Sequence, residues 1–123
     1  MRLREMAEQD FYLGAFENAS LVGIASFVRE IGLKEKHKGH IYGFYVTAGY
    51  RGKGVGRALL AGIIERAPQD DSLEQILLSV GARQHAATRL YREFGFEVYG
   101  TEPRALKIGS EYIDEQEMVL RLR

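Results

Sequence analysis

Along this chain the spacing of apolar positions switches between two residues and three to four, and each switch marks an element. Phe11 to Phe16 reads as a strand, Glu17-Asn18-Ala19-Ser20 as a turn, and the loosely alternating Leu21 to Glu30 as its hairpin partner. Gly32 to Gly39, carrying Lys34, Glu35, Lys36, His37 and Lys38, reads as a solvated hairpin tip. His40 to Thr47 is dense in aromatic and β-branched residues and predicts another strand. The period then lengthens. Val55, Leu59 and Ile63 form one row, and Leu60, Ile64 and Ala67 a second, so a helix from about Val55 to Ala67 presents a broad apolar face to a sheet. Pro68 and Asp70-Asp71 mark a loop. Gln75 to Val80 is a nearly unbroken apolar run, as in a buried central strand. His85 to Phe94 predicts a second helix with Ala87, Leu90, Tyr91 and Phe94 on one side and Gly95 as its C-terminal cap. Phe96 to Thr101 and Tyr112 to Leu122 read as strands, the latter after a turn at Ile108-Gly109-Ser110. Residues 1–9 read as the tail of a helix, with Leu3, Met6 and Ala7 on one side.

Strand, helix, strand, helix, strand in the middle of the chain implies two parallel strands joined by a right-handed crossover. The flanking hairpins add antiparallel neighbours, so the expected class is α/β or α+β with a mixed sheet. The 123 residues suit one domain, without internal repeat or linker. Apolar residues make up 46% and charged residues 28%, an ordinary globular balance. The formal net charge is zero, which argues against nucleic acid as a partner. There is no cysteine, which removes disulfides, thiolate metal sites and a cysteine nucleophile together; no metal site is expected. The start carries no secretory pattern and no apolar run approaches a membrane span, so a cytoplasmic protein with no membrane contact is expected. Asn18-Ala19-Ser20 also fits a glycosylation acceptor, but without a secretory signal the turn is the better reading.

Between the His40 strand and the first helix lies Arg51-Gly52-Lys53-Gly54-Val55-Gly56. Glycines let a backbone approach a ligand closely, and the helix that follows offers free N–H groups at its positive end. An anion such as a pyrophosphate fits there, with Arg51, Lys53 and Arg57 adding positive charge; a tight turn with no ligand is the structural alternative. Two familiar phosphate loops fail on the residues. A dinucleotide fingerprint needs Gly or Ala where Arg57 or Leu59 stands, and a P-loop beginning at Gly49 needs Lys where Val55 stands.

The pattern that is met, by Arg51, Gly54 and Gly56, is Arg/Gln-x-x-Gly-x-Gly/Ala. Here the chain resembles the GNAT superfamily of N-acetyltransferases, and the whole stretch Tyr45 to Leu60 looks like that family's acetyl-CoA motif. A second stretch, Ala87 to Phe96, resembles the family's Leu-Tyr-x-x-x-Gly-Phe signature. The resemblance covers roughly residues 11–122. It implies a mostly antiparallel sheet with a central parallel pair that splays apart to admit a pantetheine arm, flanked by helices. It places main-chain groups of Tyr45 and Val46 on the pantetheine, and the N–H groups of Gly52, Lys53, Gly54, Val55, Gly56 and Arg57 on the pyrophosphate, with Arg51 opening the motif. Gln84 stands where many members carry an Asn that contacts the pantetheine; His85, next to it, reads as solvent-facing.

The implied reaction is direct attack of a primary amine, on a small molecule or a protein, on the thioester of acetyl-CoA through a tetrahedral intermediate. Proton removal, oxyanion stabilisation and thiolate protonation are its three requirements. By resemblance a backbone N–H near Val46 is the oxyanion donor and Tyr91 the acid; packed in a core, Tyr91 would instead be structural. For the base, His40 is the candidate, sharing a strand face with Tyr42, since histidine as a residue type is suited to proton transfer at neutral pH. Glu30 on the neighbouring strand is an alternative, as is a water chain. The chain departs from the family at its start, apparently lacking the usual N-terminal strand and part of the first helices. An exposed sheet edge there favours self-association, so a homodimer is expected. A second function class shares the cosubstrate: an acetyl-CoA-binding regulatory module without turnover.

Overall fold

The computed structural model describes residues 1–5, 10–67 and 71–122. Its strands are mostly antiparallel, and the described residues include two helices. This is the expected mixed α/β class. By contacts the chain divides into two compact units, residues 1–73 and 74–123.

The first unit holds β1 (Arg2–Glu5), β2 (Phe11–Glu17), β3 (Ser20–Arg29), β4 (Lys38–Val46) and α1 (Val55–Arg66). Alternation gives β2 and β3 a common inner face. Phe11 lies opposite Phe27, Leu13 opposite Ala25 and Ala15 opposite Gly23, all buried. The Phe11 and Phe27 rings stack at 5.4 Å. On this face α1 sets Val55, Leu59, Leu60 and Ile63, each at most 4% exposed; burying each such side chain contributes roughly 1.5–3 kcal/mol. The helix can come this close because position 23 is glycine. A Cβ there would stand 2.8 Å from Val55 Cγ1 and 3.0 Å from Leu59 Cδ1. The β2–β3 turn is made by Asn18, with φ of 56°, and Ala19. β4 carries a bulge: Ile24 pairs with Tyr45 but Ser26 with Tyr42, so Gly43 and Phe44 together oppose Ala25. Gly43 takes a φ of 59°, as the first residue of such a bulge commonly does.

The expected helix tail at residues 1–9 is corrected. Arg2 to Glu5 form β1, paired with Phe16 to Leu13 of β2. Three apolar positions are too few to fix a period, and the backbone bonds offered by β2 decide the matter. Leu3 points to α1, its Cδ1 only 2.8 Å from where a Cβ on Gly62 would be. An N-terminal strand therefore stands where none was expected. Met6 and Ala7, and the Pro68 and Asp70 of the expected loop, lie outside the described residues.

The second unit holds β5 (Gln75–Gly81), α2 (His85–Glu93), β6 (Glu97–Ile108) and β7 (Glu111–Arg121). β7 pairs with β5 on one side and β6 on the other, and Ile76, Leu78, Val80, Phe96 and Met118 form its buried interior. β6 runs past Thr101, where the sequence suggested an end. Pro103, which has no N–H to give, is absorbed in a break of register between Glu102 and Leu106. There Arg104 takes a φ of 54° and donates its N–H to Asp114 Oδ1 at 2.9 Å. Among the described residues no helix is long and apolar enough to cross a membrane.

Candidate active site

In the first unit, the end of β4 and the start of α1 meet in the glycine-rich turn. Thr47 donates its N–H to Val22 O at 2.9 Å. Since hydrogen-bonded and open pairs alternate along an antiparallel ladder, the N–H and C=O of Val46, opposite Gly23, turn away from β3. The Val46 carbonyl accepts from Arg51 Nε at 3.0 Å, and the Arg51 guanidinium lies 5.5 Å from the centre of the Tyr45 ring. Arg51 thus fastens the turn to the strand it follows. A single 3-10 turn, Ala48–Tyr50, leads into it, and Lys53 Nζ lies 5.6 Å from the Tyr50 ring centre.

Gly52 and Gly54 take φ values of 75° and 84°, a region that costs other residues roughly 1–2 kcal/mol. Gly54 is the N-cap of α1, with no side-chain cap and no acid in the first turn. The first helical bond runs from Ala58 N to Gly54 O, so the N–H groups of Val55, Gly56 and Arg57 precede it. These groups and the helix dipole are of the kind that stabilise an anion, and Arg51, Lys53 and Arg57 are exposed in the same stretch of chain. The donor set fits the pyrophosphate of a coenzyme A thioester.

On the other face of β3 and β4, opposite α1, stand Ser26, Val28 and Glu30, with His40 and Tyr42 beside them. The His40 and Tyr42 rings are 5.5 Å apart and inclined by 12°, so the two residues do share a face. His40 Nε2 is 2.9 Å from Glu30 Oε1. The two residues that sequence reasoning offered as rival bases are partners.

The second unit holds the other predicted residues. Tyr91 is 5% exposed, and burial pushes its hydroxyl up from 10.0 to about 12. Its ring meets that of Phe96 at 6.0 Å. The signature around it is a helix stop: Phe96 N donates to Tyr91 O at 3.1 Å and Gly95 N to Arg92 O at 3.0 Å, with Gly95 at φ 98°. This is the Schellman arrangement, including its apolar contact across the end. It accounts for Gly95 and Phe96 and for the Tyr91 ring. Gln84 is the exposed N-cap of α2; its carbonyl accepts from Thr88 N and Oγ1, while its side chain makes no capping bond. His85 is exposed.

One cluster was missed by the sequence reading. The carboxylates of Glu102, Glu115 and Glu117 gather with one oxygen of each within 4.8 Å of the others. Ser79 Oγ donates to Glu117 Oε2 at 2.5 Å. Glu115 is held above the usual carboxylate range, by burial first and then by the charges of Glu117 and Glu102. Only the strand register brings Glu102 opposite Glu115, and nothing local in the sequence announces that.

Comparison with known proteins agrees with the geometry. Residues 1–96 match the model of the acetyltransferase (GNAT) family. An N-alpha-acetyltransferase, RimI, of Mycobacterium tuberculosis is 30% identical over 106 residues, which is 85% of this chain and 64% of that protein. A spermine/spermidine N(1)-acetyltransferase of Bacillus subtilis is 29% identical over 103 residues, covering 80% and 68%. Among solved structures, a putative acetyltransferase from Salmonella typhimurium with its cofactor acetyl-CoA superposes with a TM-score of 0.83 at 25% identity. That match covers 94% of this chain and 66% of that one. The chain spans between 27% and 68% of the lengths of the curated relatives it matches.

Proposed function

The chain belongs to the acetyltransferase (GNAT) family, and from that premise we propose that it transfers the acetyl group of acetyl-CoA to a primary amine. The observation that carries this reading is the uncapped start of α1. Left-handed Gly52 and Gly54 and the N–H groups of Val55, Gly56 and Arg57 form a donor array aimed at a pyrophosphate. Chains whose names specify amine acetylation, one of a polyamine and one of an N-terminal amine, are similar to this one over most of its length. Both acceptors are primary amines.

The residues divide the work as follows. Arg51 holds the turn in register with β4, and Val46 offers its N–H to the pantetheine or to the oxyanion of the tetrahedral intermediate. His40 takes the proton from the amine. Tyr91, which keeps its proton at any physiological pH, supplies one to the departing thiolate. Gln84 has its backbone committed to α2, so any contact with the pantetheine falls to its side chain.

The test is release of free CoA thiol when the protein, acetyl-CoA and a panel of primary amines are incubated together. Amine-dependent release supports the reading. Tight acetyl-CoA binding with no amine-dependent release would convert the protein to a binding module. The oligomeric reading is a homodimer. Leu106 and Ile108 are exposed on one face of β6, an apolar surface of the kind that self-association covers. Light scattering at micromolar concentration should give twice the chain mass; a monomer would overturn that part.

A further inference from the structure

The β3–β4 hairpin holds an arrangement that neither residue discloses alone. Glu30 follows the end of β3, and its N–H donates to Lys38 O at 3.0 Å, closing the hairpin. Val28 pairs with His40 and Ser26 with Tyr42, so Glu30, two residues beyond Val28, sits diagonally next to His40 on one face. The contact at 2.9 Å joins a carboxylate oxygen to the Nε2 of the ring. Below the ring, Tyr42 stacks nearly parallel and restricts its tilt. Tyr42 is itself fixed through its carbonyl, which accepts from Ser26 Oγ at 2.8 Å. The imidazole is therefore held twice, at one nitrogen and across one face.

Resting on the reading of His40 as the base, we propose that Glu30 is a positioning residue: it commits Nε2 as a donor and leaves Nδ1 as the nitrogen that takes a proton from the amine. A neutral imidazole has one donor and one acceptor nitrogen, and which is which is set by the partner of the other. A carboxylate accepts and cannot donate, so a neutral His40 in this contact must carry its proton on Nε2. The lone pair is then on Nδ1. Among the described residues, Glu30 is the acidic partner of His40. Glu30 is thereby moved from a rival base to the group that orients the base.

The test uses three variants of the whole chain and two independent readouts. The first needs no turnover. In a 15N-labelled sample at neutral pH, His40 should show a protonated Nε2 whose hydrogen is visible and slow to exchange, assigned by its loss in His40→Asn. Glu30→Ala should abolish that signal. Glu30→Gln, whose side-chain carbonyl can still accept, should keep it. The second readout is kinetic. Glu30→Ala should lower kcat roughly tenfold, less than the 10²–10⁴-fold that loss of a general base itself typically costs. The acetyl-CoA KM should stay unchanged, and Glu30→Gln should recover most of the loss. Glu30→Ala combined with His40→Asn should be no slower than His40→Asn alone, because residues acting as one unit are not additive. An identical His40 signal in wild type and Glu30→Ala would overturn the proposal, as would additive losses in the double variant. A wild type that does not turn over would defeat the reading of function, and the spectroscopic result alone would then decide whether Glu30 sets the ring.

Discussion

A tyrosine hydroxyl removed from water holds its proton, and Tyr91 is the residue on which this matters most. Burial raises its titration to about 12, so the folded state keeps a proton that the unfolded chain releases near 10. Stability from this group is fully present below pH 10 and is lost as pH rises toward 12; the shift corresponds to roughly 2–3 kcal/mol at most. Unfolding free energies in alkali should fall more steeply for the wild type than for Tyr91→Phe. At neutral pH the same variant should lose kcat by roughly 10² or more while binding acetyl-CoA as before; unchanged turnover would remove Tyr91 from the mechanism. Glu115 shows the opposite kind of legibility. Its shift arises from burial and from two carboxylates brought near by register. A carboxyl whose folded titration is raised favours the fold below its unfolded value near 4.5 and opposes it above. Glu115→Gln should therefore raise the melting temperature at pH 7 and change it little near pH 4. A lower melting temperature at pH 7 would mean that Glu115 makes a contact worth more than the repulsion.

At the scale of elements, the glycine turn was the most readable feature, because its requirements are local. Positive φ at positions 52 and 54 and a helix start without an acidic cap are all consequences of the residues in the turn itself. The role of Arg51 was not readable: its charge suggested a ligand, while its Nε is spent on Val46 O. Gly54→Ala should cost roughly 1–2 kcal/mol of stability and weaken acetyl-CoA binding in a titration calorimeter. A variant that keeps full affinity would mean that the turn is structural only. Gly23→Ala acts at a distance. Its new Cβ would collide with Val55 Cγ1, forcing α1 off the sheet at a cost of roughly 1–3 kcal/mol. Denaturant titration should register that loss. The elements that sequence misplaced share one cause. β1 and the second half of β6 are fixed by pairing with a distant strand, β2 and β7, against weak or contrary local signals such as Pro103.

At the scale of the molecule, a chain of zero formal charge separates its charges by place. Arg51, Lys53 and Arg57 stand at one helix start, while Glu102, Glu115 and Glu117 gather in the other unit. The motifs at residues 51–56 and 87–96 carried the family resemblance in the sequence because they encode backbone geometry, a helix start and a helix stop. The Glu30–His40 pair could not be read that way, since it depends on how two strands align. The central claim is acetyl transfer from acetyl-CoA to an amine. The most direct test supplies acetyl-CoA labelled in its acetyl carbons, offers a polyamine and a peptide with a free N-terminus, and follows the label by mass spectrometry. The account predicts labelled amine formed in step with free CoA thiol, both much reduced in Tyr91→Phe. Acetyl-CoA that binds yet leaves its label on the thioester, whichever amine is offered, would contradict it.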